Sequence, residues 1–287
     1  MLFLTPVEVL TPAMAALFVA GEQLTHFQTR LEAPKPRNYP PPPRIMATTK
    51  KTVLITGSTR SIGLSLAEHY TKSGWNVIGT VRANSNTDDL DALSPFKTVT
   101  LDSSDEASVL AAAHELEGVP IDLLINNAGI YIEDDLKSAT KDAFMRQFEV
   151  NAVGPFLVTR ALLPNLELAA KKHSSATVAQ VSSFLGSLGS NVEEHHGFFG
   201  HSYAYSPSKA ALNMITRSLS IGLRDSNIVF VTLNPGYVAT DMNNHQGWLE
   251  ASVSAASMAK IVDDLTMKDT GKFYNADKTF GTFELPW

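Results

Sequence analysis

The chain has 287 residues, 44% of them hydrophobic and 18% charged, which permits one large buried core and excludes wholesale disorder, a collagen-like repeat and a multi-span membrane protein. Twenty-nine acidic against 23 basic residues leave a net charge of −6, so attraction to phosphate backbones is weak and nucleic acid is not an expected partner. With no cysteine the chain has no disulfide, thiolate metal site or thiol nucleophile, and its chemistry must use oxygen and nitrogen groups or a cofactor.

Residues 1–46 read as an N-terminal extension. Ala33 to Arg44 holds six prolines in twelve positions, which suits a disordered, partly polyproline linker and no helix or sheet interior. The run Ala13 to Ala20 is too short to span a membrane, and no Lys or Arg precedes it to form a signal peptide. Glu8, Glu22 and Glu32 spoil a mitochondrial leader, so the expected location is cytoplasmic. The functional chain is expected to start at Met46; abundant peptides from residues 1–45 in the native protein would refute this.

From Lys51 onward, short β-branched runs alternate with helix-like stretches, the pattern of crossover units on a parallel sheet. Strands are predicted at Thr52 to Thr56, Asn76 to Val81, Thr98 to Leu101, Leu123 to Ile125, Thr177 to Val181, Val229 to Leu233 and Lys272 to Tyr274. Helices fall between them, at Ile62 to Ser73, Asp105 to Glu117, Lys141 to Glu167, Tyr205 to Arg224 and Ser252 to Asp264. Pro155 and Pro164 should kink or stop the third of these. Residues 47–287 are therefore expected to form one α/β domain, a doubly wound Rossmann-type fold whose seven-stranded, mainly parallel sheet carries helices on both faces.

The first strand runs into Gly57, Ser58, Thr59, Arg60, Ser61, Ile62 and Gly63 and then a helix. Gly57 can take positive φ and let the backbone approach a ligand, Gly63 permits close packing, and the free N–H groups of the first helical turn suit a pyrophosphate. Purely conformational glycines are the competing explanation. After the second strand, where an acid would hold an NAD ribose, stand Val81 and Arg82. Arg60 and Arg82 together favour NADP(H) over NAD(H), because guanidinium groups can fork onto a 2′-phosphate.

Tyr205 and Lys209, four apart, share one helical face. A phenol near pH 10 can act as an acid or base at neutrality if a fixed ammonium lowers its pKa, the role expected of Lys209. Ser182 and Ser183 end the fifth strand at the carboxyl edge of the sheet; alternation lets one of them face the site, Ser183 being preferred to hold a carbonyl oxygen and Ser182 the alternative. His195, His196 and His201, with Glu193 and Glu194, raise hydrolase and metal-site alternatives. Neither a G-x-S-x-G elbow nor helical ligand spacing accompanies them, so no metal is expected and the segment reads as a mobile polar loop.

Thr56-Gly57-x5-Gly63, Asp102, Asn126-Asn127-Ala128-Gly129, Asn151, Ser183, Tyr205-x3-Lys209 and Pro235-Gly236-x3-Thr240 occur in the order and at intervals that resemble the classical short-chain dehydrogenase/reductase family, over nearly all of Lys51 to Trp287. The resemblance implies a catalytic tetrad of Asn151, Ser183, Tyr205 and Lys209, with Asn151 holding a proton-relay water. It also implies that Asp102 contacts the adenine, that Asn127, Ala128 and Gly129 border the cofactor, and that Pro235, Gly236, Val238 and Thr240 hold its nicotinamide end. Two departures stand out: Ser61 replaces a glycine, and the 22-residue interval from Ser183 to Tyr205 is long. The C-terminal stretch from Gly271 resembles the NADPH-dependent carbonyl reductases related to bacterial C-factor.

The implied activity is NADPH-dependent reduction of an aldehyde or ketone, or the reverse oxidation of an alcohol, with NADPH preferred over NADH, by a monomer or homodimer. An apolar substrate would enter past Phe198, Phe199 and Trp248, with ordinary packing the alternative for all three and the preferred reading for Trp248. Two rival classes are a non-catalytic NADP(H)-binding sensor and an interaction protein acting through the proline-rich segment.

Overall fold

The computed structural model describes residues 50–279 and 281–287; the reading of residues 1–46 lies outside them. The elements are β1 (Thr52–Ile55), α1 (Ser61–Lys72), β2 (Asn76–Val81), α2 (Asp88–Ala92), β3 (Lys97–Thr100), α3 (Glu106–Glu115), β4 (Leu123–Asn126), α4 (Lys141–Phe148), α5 (Gly154–Ala161), α6 (Leu163–His173), β5 (Ala176–Val181), α7 (His196–Phe199), α8 (Tyr205–Gly222), β6 (Ile228–Asn234), α9 (Ala251–Asp263) and β7 (Lys272–Asn275). The strands form one seven-stranded sheet in the order β3-β2-β1-β4-β5-β6-β7. Every pairing is parallel, where the sequence suggested only mainly parallel.

Alternation sorts the strand side chains onto two cores. Val53, Ile55, Val229 and Val231 face α1 and α9 through Leu66, Ala67, Tyr70, Ala255 and Met258. Leu54, Val178 and Phe230 face the opposite layer, with Val109 of α3, Val158 of α5 and Leu166 of α6. Burial on both faces is why these strands are continuously apolar rather than alternating. Strand order reverses direction between β1 and β4, so their carboxyl ends part around a crevice, the place where open sheets of this kind hold ligands.

The one long helix expected over Lys141 to Glu167 is broken twice. Glu149–Val153 widens into a π-turn, and Leu162 separates α5 from α6. Pro155 lacks the N–H that would bond back to the carbonyl of Asn151, and Pro164 sits in the first turn of α6, where its missing N–H costs nothing. The stretch expected as a polar loop carries short helical turns at Glu193–His195 and His196–Phe199. No helix among the described residues is long and apolar enough to cross a membrane.

Candidate active site

The turn after β1 is closed from β4. Thr56 Oγ1 accepts from the backbone N–H of Asn127 and of Ala128, both at 3.0 Å, and the Asn127 amide donates to the carbonyls of Thr56 at 3.0 Å and Gly57 at 3.2 Å. Gly57 has φ +67°, and a Cβ on Gly63 would sit 2.0 Å from the Gly57 carbonyl oxygen, so both glycines are required by shape. Helix α1 has no side-chain cap and no acidic residue in its first turn, whereas α3 and α4 are capped by Asp105 and Thr140. Its first N–H groups have no side-chain partner, and with Thr59, Arg60 and Ile62 around them the cradle fits a dinucleotide pyrophosphate. Ser58, expected to join them, turns away instead: it is buried, and its N–H at 3.2 Å and hydroxyl at 3.1 Å both donate to the Thr80 carbonyl.

Ser61 takes φ +48°, the left-handed region where a glycine is unstrained. Ser61→Gly should relieve that strain, partly offset by a freer unfolded chain, for a net gain of about 0.5 kcal/mol. A melting midpoint raised by about 1–2 °C and a lower KM for cofactor are expected, and a lowered midpoint would contradict the strain.

Arg60 and Arg82 differ in their surroundings. The Arg60 guanidinium lies 3.6 Å from Asp241, across the groove beside Thr240, in an exposed pair. Arg82 is exposed at the end of β2, where its charge bears on Asp102. Burial pushes the Asp102 carboxyl up, but two hydrogen bonds from Ser104 with Arg82 and Arg146 outweigh it and hold the group below its ordinary value. On the far side of the groove, Pro235 accepts from Ser254 at 2.7 Å, Gly236 takes φ +87°, and buried Val238 bridges to Leu249.

Tyr205 and Lys209 open α8 beneath the end of β5. The Lys209 ammonium donates to the Val181 carbonyl at 2.9 Å and lies 5.7 Å from the Tyr205 ring centre. The Ser183 side chain hydrogen-bonds with the Tyr205 phenol, while Ser182 is buried with its hydroxyl toward the Lys209 carbonyl at 3.5 Å. Geometry thus separates the two serines, because successive residues leave an extended strand on opposite sides.

Burial raises the Tyr205 phenol to about 12, against the lowering influence of Ser183. Burial also lowers the Lys209 ammonium to about 8. The lowered phenol expected from Lys209 is not found, since losing water disfavours both charged forms.

Asn151, in the π-turn, donates to the Ile130 carbonyl at 2.9 Å and to Ser208 at 3.1 Å, and accepts from the Ile130 N–H at 2.8 Å. Both of its amide donors are thus committed, which leaves a relay water only an acceptor to bind. A Cβ on Gly129 would lie 3.2 Å from Asn151 Oδ1 and 3.5 Å from Lys209 Nζ, so this glycine lets three segments converge.

Phe199 is not at the entrance as expected. It is buried with Phe184, Phe273 and Leu285. Phe198 remains 41% exposed and Trp248 50% exposed, the latter edge-on to Tyr237 at 5.0 Å, so Trp248 is not ordinary core. Sequence reasoning missed Tyr131, whose ring meets Tyr205 edge-on at 5.2 Å and 89°. Seventy-four positions separate the two, and no local spacing could reveal the contact.

Residues 51–248 match the model of the family described as short chain dehydrogenase. Over 172 residues the chain is 40% identical to the C-signal of Myxococcus xanthus, covering 58% of this chain and 93% of the relative. Among solved structures it resembles the NADPH-bound carbonyl reductase from chicken fatty liver, with TM-score 0.75, 32% identity and coverage of 83% and 94% of the two chains. The carbonyl reductase Sniffer of D. melanogaster gives TM-score 0.74 and 30% identity, covering 83% of this chain and all of that one.

Proposed function

The chain belongs to the short-chain dehydrogenase family of nicotinamide-dependent oxidoreductases, and on that premise we propose that it reduces an aldehyde or ketone with NADPH. The observation that carries this reading is the Tyr205 phenol held beside the Ser183 hydroxyl, with Lys209 one turn further on and the anion cradle of α1 across the same sheet edge. When bound, the nicotinamide supplies the hydride to the carbonyl carbon. Ser183 holds the carbonyl oxygen, and Tyr205 donates its proton to that oxygen as negative charge grows there. Lys209 supplies positive charge beside the phenolate that remains. A phenol raised to about 12 stays protonated at neutral pH, the form that a proton donor to the carbonyl oxygen needs.

Oxidation of NADPH, followed by absorbance against a panel of aldehydes, diketones and quinones, tests the reading. Turnover of at least one carbonyl class is expected, and none on the whole panel would overturn it. The exposed, packed pair of Tyr237 and Trp248 and the exposed Phe198 support apolar carbonyls as the better substrates.

The same panel tests pH dependence. Below its lowered value of about 8 Lys209 is charged, and above it the charge beside the phenolate is lost. The rate of reduction should therefore be level up to about pH 7 and fall through pH 8–9. A rate that climbs over that range would contradict the role given to Lys209.

The basic end of the cofactor site has its own test. Arg82→Asp supplies an acid able to hold the ribose 2′-hydroxyl of NADH and removes a cation from the 2′-phosphate of NADPH. KM for NADPH should rise about tenfold or more, with NADH little affected. An unchanged NADPH/NADH ratio would remove the basis for the NADP preference.

A further inference from the structure

The stretch from Ile130 to Asp134, to which sequence reasoning assigned no role, grips the approach to α8. Its backbone is fixed from one side: Asn151 pairs twice with Ile130, and the buried Gln147 amide accepts from the Ile132 N–H at 3.0 Å and donates to its carbonyl at 3.2 Å. Its side chains reach the other way. The Tyr131 hydroxyl donates to the His201 carbonyl at 2.9 Å. Asp134, 4% exposed, accepts from the N–H of Tyr203 at 2.6 Å and of Ala204 at 2.9 Å.

Helix α8 begins at Tyr205 after Ala204, which has no side chain able to cap it. A buried carboxylate from a distant segment instead holds the two backbone N–H groups just ahead of the helix and places its charge near the positive end of the helix dipole. The residues that Tyr131 and Asp134 hold lead directly into Tyr205.

We propose that Tyr131 and Asp134 are positioning residues that fix the start of α8 and so set where the Tyr205 phenol sits against Ser183 and Lys209; this rests on the reading of Tyr205 as proton donor. Asp134 acts through the backbone, and Tyr131 through its hydroxyl on the His201 carbonyl as well as the edge of its ring. Within the long interval from Ser183 to Tyr205 the Ser202 carbonyl accepts from the Ser206 N–H at 2.9 Å, but no side chain there caps α8, and Tyr131 and Asp134 fix the backbone that leads into it.

The test compares Asp134→Ala, Asp134→Asn and Tyr131→Phe with the wild-type chain, well below each melting midpoint. For Asp134→Ala, kcat should fall about 10- to 100-fold with KM for NADPH unchanged, as expected for a misplaced reacting group. Asp134→Asn, which keeps one acceptor, should recover part of the loss, and Tyr131→Phe should lose several-fold.

Tyrosine labelled with ¹³C at ζ, its Tyr205 signal identified through Tyr205→Phe, supplies a readout independent of turnover. In Asp134→Ala, or in Asp134→Asn should the alanine variant not fold, water reaching the phenol should bring its titration down from about 12 toward 10. Folded variants with wild-type kcat and an unmoved Tyr205 titration would overturn the proposal, even if their melting midpoints fell. A wild-type chain inactive on every carbonyl, but with a Tyr205 titration that responds to Asp134, would instead sink the reductase reading and leave the clamp standing.

Discussion

Tyr205→Phe is expected to lower carbonyl turnover by about 10²–10⁴-fold, the range that a positioned proton donor contributes, while NADPH affinity changes little. The ring stays, so the edge contact with Tyr131 and the ring's distance from Lys209 survive, and only the hydroxyl that meets Ser183 is lost. Removing a partly buried phenol hydroxyl whose partner is another hydroxyl should cost the fold about 1 kcal/mol. Steady-state kinetics with cofactor titration by fluorescence separates these effects. Equal kcat in the two proteins on any active substrate would exclude the phenol as the acid, and lost cofactor binding would recast it as a binding residue.

Lys209→Met should abolish most turnover while changing stability in a pH-dependent way. The folded-state value of about 8 lies below the ordinary 10.5, so the fold disfavours the charged form. At pH 7 the wild-type protein buries that charge at a cost of about 3 kcal/mol. As pH rises from 8 to 10.5 the folded protein releases its proton first and the penalty disappears, so the Lys209 contribution makes wild type more stable with rising pH. Methionine removes the penalty but leaves the Val181 carbonyl without its donor, which costs about 1–2 kcal/mol. The variant should therefore melt a few degrees higher at pH 7 and lower near pH 10. Thermal unfolding across that range checks it; a difference between the two proteins that does not move with pH would mean that Lys209 is not buried as a charge.

Parts of this architecture were legible in the chain and parts were not, for identifiable reasons. Apolar runs such as Val53 to Ile55 and Val229 to Leu233 announced strands buried on both faces, and their observed limits lie within about one residue of the expected ones. The breaks near Pro155 and Pro164 were visible as missing N–H groups, yet the π-turn at Glu149–Val153 was not, because it also depends on Asn151 being drawn to Ile130 from another segment. Phe199 looked like a gate and is core, since exposure is decided by what packs on a side chain, here Phe184, Phe273 and Leu285.

What the sequence determined by itself was local: the strand and helix periods, the turn between Gly57 and Gly63, the one-turn spacing of Tyr205 and Lys209, and the absence of an acid at Arg82. These follow from backbone geometry within a few residues. Only the tertiary structure decided which serine meets the phenol, that burial raises the proton affinity of Tyr205, and that Asp134 holds the backbone just ahead of α8 from across the sheet edge. Each of those depends on contacts between residues far apart in the chain and on how much water they exclude, and neither quantity is written in a local pattern.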